Sequence, residues 1–246
     1  MLRKRFSKMN KPIVLIMAME KEALPIIKHY DFIFKNPPWS KDYPFKTYFK
    51  KINENNIYLV LLGNDKKSKL NHIGTTIASF ATSIIIEYLK PRLIINAGTA
   101  GGFHFQNAQI ADVYIGYPEA VFHDHRIPLG KYLDYGEGHF KFHESSLKIA
   151  KKIKCKTGVI SSGNSLDCSS TDMKIMKKLN ASVKEMECAS IAWICSITKT
   201  RFLAVKSITD FVDSKHPTSE QFIKNLNAAS LSLKKSLTAL LNLKNI

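Results

Sequence analysis

Short apolar runs recur at four places along the chain, residues 13–18, 57–62, 93–97 and 202–207. Each is rich in Val, Ile or Leu and bounded by polar residues or glycine, the pattern of a strand covered on both faces. Between them the period changes. Leu70, Ile73, Ile77, Phe80, Ile84 and Tyr88 recur at three- and four-residue intervals and predict a helix that stops at Lys90-Pro91. Phe222, Leu226, Ala229, Leu233, Leu237 and Leu240 hold one face of a longer C-terminal helix, with Thr218 and Gln221 spaced as a capping box. Strands alternating with helices predict an α/β layered domain. In such sheets ligands gather at the C-terminal ends of strands, where the loops lie and helix N-termini point.

That rule singles out a small set of polar residues. Met19 and Glu22 follow the first run, Gly98-Thr99-Ala100-Gly101-Gly102 follows the third, and Thr209-Asp210 follows the last. The glycines permit a tight turn and close approach of a ligand, although Gly-x-x-Gly-Gly is not a dinucleotide fingerprint. A further segment, Lys184-Glu185-Met186-Glu187-Cys188-Ala189, runs into the apolar residues 190–195, so a helix is expected to begin near Glu185. Burying an ionised carboxylate without a partner costs several kcal/mol. Two readings satisfy Glu185 and Glu187: capping of the helix N-terminus, worth roughly 0.3–1 kcal/mol, or a site for a hydroxylated ligand. Convergence with Glu22, Thr99 and Asp210 at one sheet edge favours the site. Three separated acids around a cleft suit cleavage of a glycosidic bond, in which one carboxyl group protonates the leaving group and another activates water.

Composition narrows the classes. With 246 residues, 45% of them hydrophobic, the chain can bury one α/β core. Its 37 basic and 20 acidic residues give a formal charge of +17 and a pI near 9.7, which favours polyanions and anionic surfaces. The lysines are scattered, however, and no aromatic-interleaved basic motif accompanies them. A solvated basic surface is the simpler reading, and nucleic acid is not the expected partner. Cys155, Cys168, Cys188 and Cys195 include no Cys-x-x-Cys pair, so they point to a reducing cytoplasm and away from a zinc or redox site. His123-Asp124-His125 and His139/His143 lack a third ligand at motif spacing, and no metal is expected. Residues 1–11 form a basic extension whose following apolar run is too short for a signal peptide and is better explained as a buried first strand. No stretch is long enough to span a membrane.

Six segments then occur in order: IMAMEKEALPII (16–27), IINAGTAGGF (94–103), VFHDHRIPLGKYLDYGEG (121–138), ISSGNSLDCSS (160–170), VKEMECASIA (183–192) and VKSITDFVDSKHPTSEQF (205–222). Together they resemble the 5′-methylthioadenosine/S-adenosylhomocysteine nucleosidase family, within the nucleoside phosphorylase/hydrolase superfamily. The resemblance runs from about residue 12 to the C-terminus and is nearest to the plant-type enzymes, with which the chain shares HDxRIP, the Ser-Leu-Asp loop and Lys206. It implies a single domain over residues 12–246. The implied fold is a three-layer αβα sandwich with a twisted central mixed β-sheet, nucleoside phosphorylase-like.

The same resemblance implies a cofactor-free hydrolase of methionine salvage. Glu22 would be the base for the attacking water and Asp210 the acid at adenine N7. Glu187 would grip the ribose hydroxyls, with Met186 beneath the sugar and Lys184 and Glu185 nearby. Thr99 and Gly101 belong to the sugar-side turn, while Leu166 walls the adenine and the backbone at Asp167 reads its edge. Phe122 would reach the alkylthio pocket of a partner subunit, which implies a homodimer. Two departures stand out. Asn164 replaces the usual aspartate before the adenine loop, and Lys21 lies between the two acids of the first loop. The nearest competing activity is a purine nucleoside phosphorylase, but Asn96 occupies the position where those enzymes usually carry a phosphate-binding arginine. The competing class, a non-catalytic nucleoside- or nucleic-acid-binding protein, has no need of Glu22, Glu187 and Asp210 together.

Overall fold

The computed structural model describes residues 11–244 and 246, so all of the basic extension except Lys11 lies outside the described residues. In chain order the helices and strands are β1 (Ile13–Met17), α1 (Glu20–Tyr30), β2 (Ile33–Lys35), β3 (Lys46–Ile52), β4 (Asn55–Leu61), α2 (Thr75–Leu89), β5 (Leu93–Gly102), β6 (Val113–Phe122), α3 (Tyr132–Glu137), β7 (Phe140–Lys141), α4 (Ser145–Ile153), β8 (Lys156–Ser162), α5 (Ser170–Lys178), β9 (Ala181–Glu185), α6 (Cys188–Thr198), β10 (Phe202–Phe211) and α7 (Thr218–Leu241). The four apolar runs are β1, the end of β4, the start of β5 and the start of β10.

The strands form one mixed sheet. β1 lies between β4 and β5, parallel to both, and β5 also runs parallel to β10. β10 pairs antiparallel with β6, β6 runs parallel to β8, and β8 parallel to β9. β9 returns antiparallel to the end of β5, with Gly101 opposite Lys184 and Gly102 opposite Val183. Five strands therefore close on themselves, and β1, β4, β3 and β2 extend from them as a flank.

Helices cover both faces, as a three-layer αβα fold requires. Ile13, Leu15 and Met17 face a core shared with Ile26 of α1 and Leu233 and Leu237 of α7. Val14 and Ile16 face the opposite core, with Ala78, Ala81 and Ile85 of α2 and Ile191 of α6. Because both faces of β1 are buried, its sequence is apolar throughout instead of alternating.

Three expectations about elements are corrected. Residues 181–185 form a strand, and the helix begins at Cys188 with Glu187 in the N-cap position. Buried Ser182, Lys184 and Glu185 break the apolar pattern that would have marked this strand. The α2 helix starts at Thr75, after Leu70 and Ile73, and buries Ala78, Ala81, Thr82 and Ile85. Its small residues turn inward because α2 packs closely on α6, leaving Phe80 and Tyr88 of the predicted apolar face 43% and 51% exposed. No side chain caps α7 at its N-cap Pro217. Gln221 instead accepts from the Phe211 N–H at 3.1 Å and donates to the His216 carbonyl at 2.9 Å, closing the loop between β10 and α7.

Candidate active site

The C-terminal ends of β1, β5, β9 and β10 meet at one edge of the sheet, around a cavity. Glu22 enters it from the first turn of α1, 5% exposed. Its carboxylate accepts the Thr99 N–H at 2.8 Å and the Thr99 hydroxyl, while the Met19 N–H reaches the second oxygen at 3.3 Å. Burial raises its pKa, and Thr99, Lys206 and the Met19 amide pull against that rise.

Asp210 approaches from β10, where the pairing with β5 slips between Ile208 and Asp210. A bulge of this kind re-aims a side chain, and here the displaced residue is Thr209. The Thr209 hydroxyl lies 2.6 Å from Asp210 Oδ1, and the Asn225 amide holds the Thr209 carbonyl at 2.8 Å. Asp210 is 3% exposed, and burial pushes its pKa up against the Thr209 hydrogen bond and the charge of Lys184. Gly101 stands against it. A β-carbon there would fall 2.8 Å from Asp210 Oδ2 and 2.6 Å from Val212 Cγ2, so this position must be glycine for the carboxylate to sit where it does.

The two acids of the 185–187 segment divide the roles foreseen for them. Glu185 caps the helix from the last position of β9: it accepts the Glu187 N–H at 3.0 Å and the Cys188 N–H at 2.9 Å, together with the Ser162 hydroxyl. Lys206 meets it at 2.8 Å, with both side chains almost wholly buried. Burial works against the Lys206 ammonium, but Glu185 and Glu187 outweigh it and raise its pKa. Glu187 uses one oxygen to accept the Gly74 N–H at 2.9 Å, ahead of α2. Burial and the neighbouring Glu185 raise its pKa to about 7. A carboxylate so buried and only partly satisfied is suited to a ligand that brings hydroxyl donors.

A match to the phosphorylase superfamily model extends over residues 12–242. Over 231 residues the chain is 37% identical to a 5′-methylthioadenosine/S-adenosylhomocysteine nucleosidase of Arabidopsis thaliana, which covers 94% of this chain and 90% of the relative. The chain belongs to this nucleosidase family. A 5′-methylthioadenosine nucleosidase of the same plant is 34% identical over 234 residues, covering 95% of this chain and 87% of the relative. The apo structure of an Arabidopsis 5′-methylthioadenosine nucleosidase superposes with a TM-score of 0.91 at 33% identity, covering 96% of this chain and 97% of that one.

Within this nucleosidase fold, Glu22, Thr99, Gly101, Leu166, Lys184, Glu185, Met186, Glu187 and Asp210 all line the one cavity. Two predicted residues do not. Asp167 is exposed on the loop beyond Leu166. Phe122 is only 5% exposed and packs within this chain against Phe140, Trp193 and His125. It lines a second cavity beside the first, with Asp124, Asn164 and Trp193.

Asn164 accepts from the Thr75 N–H at 3.0 Å and the Thr75 hydroxyl at 2.9 Å, so its amide caps the start of α2, and its own N–H goes to Asp124 at 2.6 Å. Asn96 is buried between strands with its amide 3.3 Å from the Ile16 carbonyl, and it is not part of the cavity wall. His123 lies 2.9 Å from the Ser161 hydroxyl, and burial, with Lys184 nearby, lowers its pKa to about 4. Sequence reasoning missed Ile73 and Phe222 as wall residues. Both carry the helical period, and nothing in that period distinguishes a cavity lip from a core face.

Proposed function

We propose that this chain hydrolyses the N-glycosidic bond of 5′-methylthioadenosine, and of S-adenosylhomocysteine as its longer congener, as a cytoplasmic enzyme of methionine salvage. The observation that carries this reading is the meeting of Glu22, Glu187 and Asp210 on one cavity. Glu22, held by Thr99, takes a proton from water whose oxygen bonds to C1′. The C1′–N9 bond breaks, and the proton of Asp210 passes to N7, so neutral adenine and the thioribose product leave. Glu187 accepts from the ribose hydroxyls, Met186 lies beneath the sugar, and Leu166 covers the base. Burial raises Asp210, which keeps it protonated nearer neutrality as a general acid must be.

Water, not phosphate, is the nucleophile of this proposal. A phosphate anion needs fixed positive charge. Asn96, at the position where the competing phosphorylases usually carry arginine, is buried away from the cavity wall. The two lysines on that wall are already engaged, Lys206 by Glu185 and Lys184 by the Ser165 and Leu166 carbonyls. The expected result is adenine release from methylthioadenosine in phosphate-free buffer, followed by chromatography, with a rate that added phosphate does not raise. Strict dependence on phosphate would refute the hydrolase. Turnover of the two nucleosides side by side reads the length of 5′ substituent that the cavity takes.

The proposal includes a homodimer. Phe80 of α2, Ile197 of α6 and the segment bearing Leu129, Tyr132, Leu133 and Tyr135 leave large apolar side chains 41–69% exposed, an arrangement that marks an association surface. Phe122 lines the second cavity with Trp193, and its contribution to a partner subunit's alkylthio pocket, as the resemblance implies, belongs to this proposal.

A further inference from the structure

Lys184 is a buried cation that the hydrolytic scheme leaves without a task. It is 5% exposed, one residue before the end of β9 and on the cavity wall. Its ammonium donates to two consecutive backbone carbonyls of the loop before α5, Ser165 at 2.6 Å and Leu166 at 2.9 Å. No carboxylate among the described residues lies within ion-pair distance of it. Opposite Lys184 in the sheet is Gly101, the glycine packed against Asp210.

We propose that Lys184 is a positioning residue for departure of the base: it pins the 163–168 loop through two adjacent carbonyls and holds a positive charge on the side of the cavity where Asp210 stands. The inference rests on the assignment of Asp210 as the acid and of Leu166 as the wall over adenine.

The chemistry favours a cation over a neutral anchor. Tying down a loop needs only hydrogen-bond donors, and a buried ammonium without a carboxylate partner is an expensive way to supply them. Burial lowers the Lys184 pKa, so the charge is held at a cost in free energy. The groups that favour it are Cys168 of the loop, only when its burial-raised thiol is ionised, Asp210 of β10, Asp167 of the loop and Asp172 of α5. His123, at the end of β6, is in turn disfavoured as a cation by Lys184. Negative charge builds on the purine as C1′–N9 breaks and before N7 is protonated, and a fixed cation stabilises that charge without reorganisation. The same cation restrains Asp210, whose pKa burial would otherwise raise further. An acid held too tightly would not release its proton to N7. The pinned carbonyls also fix the Leu166 backbone, and with it the wall against which the base must lie.

The test compares Lys184→Met, Lys184→Gln, Lys184→Arg and Asp210→Asn with the wild type, measuring kcat and KM for methylthioadenosine across pH. In Lys184→Met, KM rises on the order of tenfold as the loop loosens. The alkaline limb of kcat/KM, which reports loss of the essential acid proton in the free enzyme, moves to higher pH. Lys184→Gln, whose amide can still donate to a loop carbonyl, recovers most of the KM but keeps the shifted limb. Lys184→Arg restores the limb. A purely structural anchor would move KM and leave the limb in place, and that result overturns the electrostatic half of the proposal. Unchanged KM and limb in both neutral variants overturn all of it. Should Lys184→Met fail to fold, Lys184→Gln decides alone through the limb. Near-normal turnover by Asp210→Asn would instead show that the acid is misassigned, whereas its collapse beside unaltered Lys184 variants would sink the Lys184 proposal only.

Discussion

At the scale of single residues, Glu187 sets the most direct pH dependence. Its folded-state pKa is raised to about 7 by burial and by Glu185. The native protein therefore binds this proton more tightly than the unfolded chain. Stability from this group is largest at low pH and declines as pH rises from the unfolded value, 4.5, through about 7. The role proposed for Glu187 runs the opposite way, since only the ionised form accepts from both ribose hydroxyls. Nucleoside binding should accordingly weaken as pH falls through about 7, with KM rising severalfold between about pH 8 and pH 6. In Glu187→Gln, KM should be high at both values and nearly independent of pH. An unchanged pH profile in that variant would remove Glu187 from the ribose site. The residues that bear this chemistry were legible to unequal degrees. Glu22 and Asp210 stood out because each is an acid just past an apolar run. The role of Leu166 came only from resemblance, and so did that of Asp167, which lies exposed beyond the cavity wall.

Among the elements, the end of β10 shows how the sheet aims an acid. The bulge at Thr209 turns Asp210 toward β5, and Gly101 on that strand leaves the space it needs. Gly101→Ala should overpack this contact, destabilising the fold by about 1–3 kcal/mol. It should displace the Asp210 carboxylate enough to lower kcat on the order of a hundredfold, because misplacement by about 1 Å carries that cost. Thermal melting and single-turnover kinetics separate the two effects. A variant that melts lower but reacts normally would show that Asp210 tolerates displacement. The sequence pattern located β1, β5 and β10 because each is buried on two faces and apolar over several residues. It missed β9, whose Lys184 and Glu185 serve the cavity and the cap of α6, and it rotated α2, whose contact face is built from Ala78 and Ala81. A period of large apolar residues finds a core only where large residues fill it. Close helix contacts are made by small ones, and the conspicuous residues are then left outside.

For the whole molecule, the outward face of α2 and α6 and the charge of the chain act against each other in association. Phe80, Ile197, Leu133 and Tyr135 remain exposed, and Tyr135 stacks edge-on against Trp193, 5.7 Å between ring centroids, so the exposed segment is continuous with the core beneath it. Covering such a face requires burial of at least about 1,000 Å² in total to make a stable interface. Two copies each carrying +17 also repel one another over a distance that salt shortens, to about 8 Å at physiological ionic strength. The proposed homodimer should therefore tighten as salt is added, the reverse of binding to a polyanion, which weakens. Sedimentation velocity at micromolar concentration should find a species of twice 27.9 kDa, with dissociation favoured by low ionic strength. Leu133→Glu with Tyr135→Glu places two charges on the exposed face without emptying the core, and should yield a folded monomer. A wild type that stays at 27.9 kDa in high salt, or a double variant that remains dimeric, would rule this face out as the interface. If the monomeric variant also keeps full kcat/KM, the cavity is complete within one chain, and the buried position of Phe122 in its own protomer is then its working position.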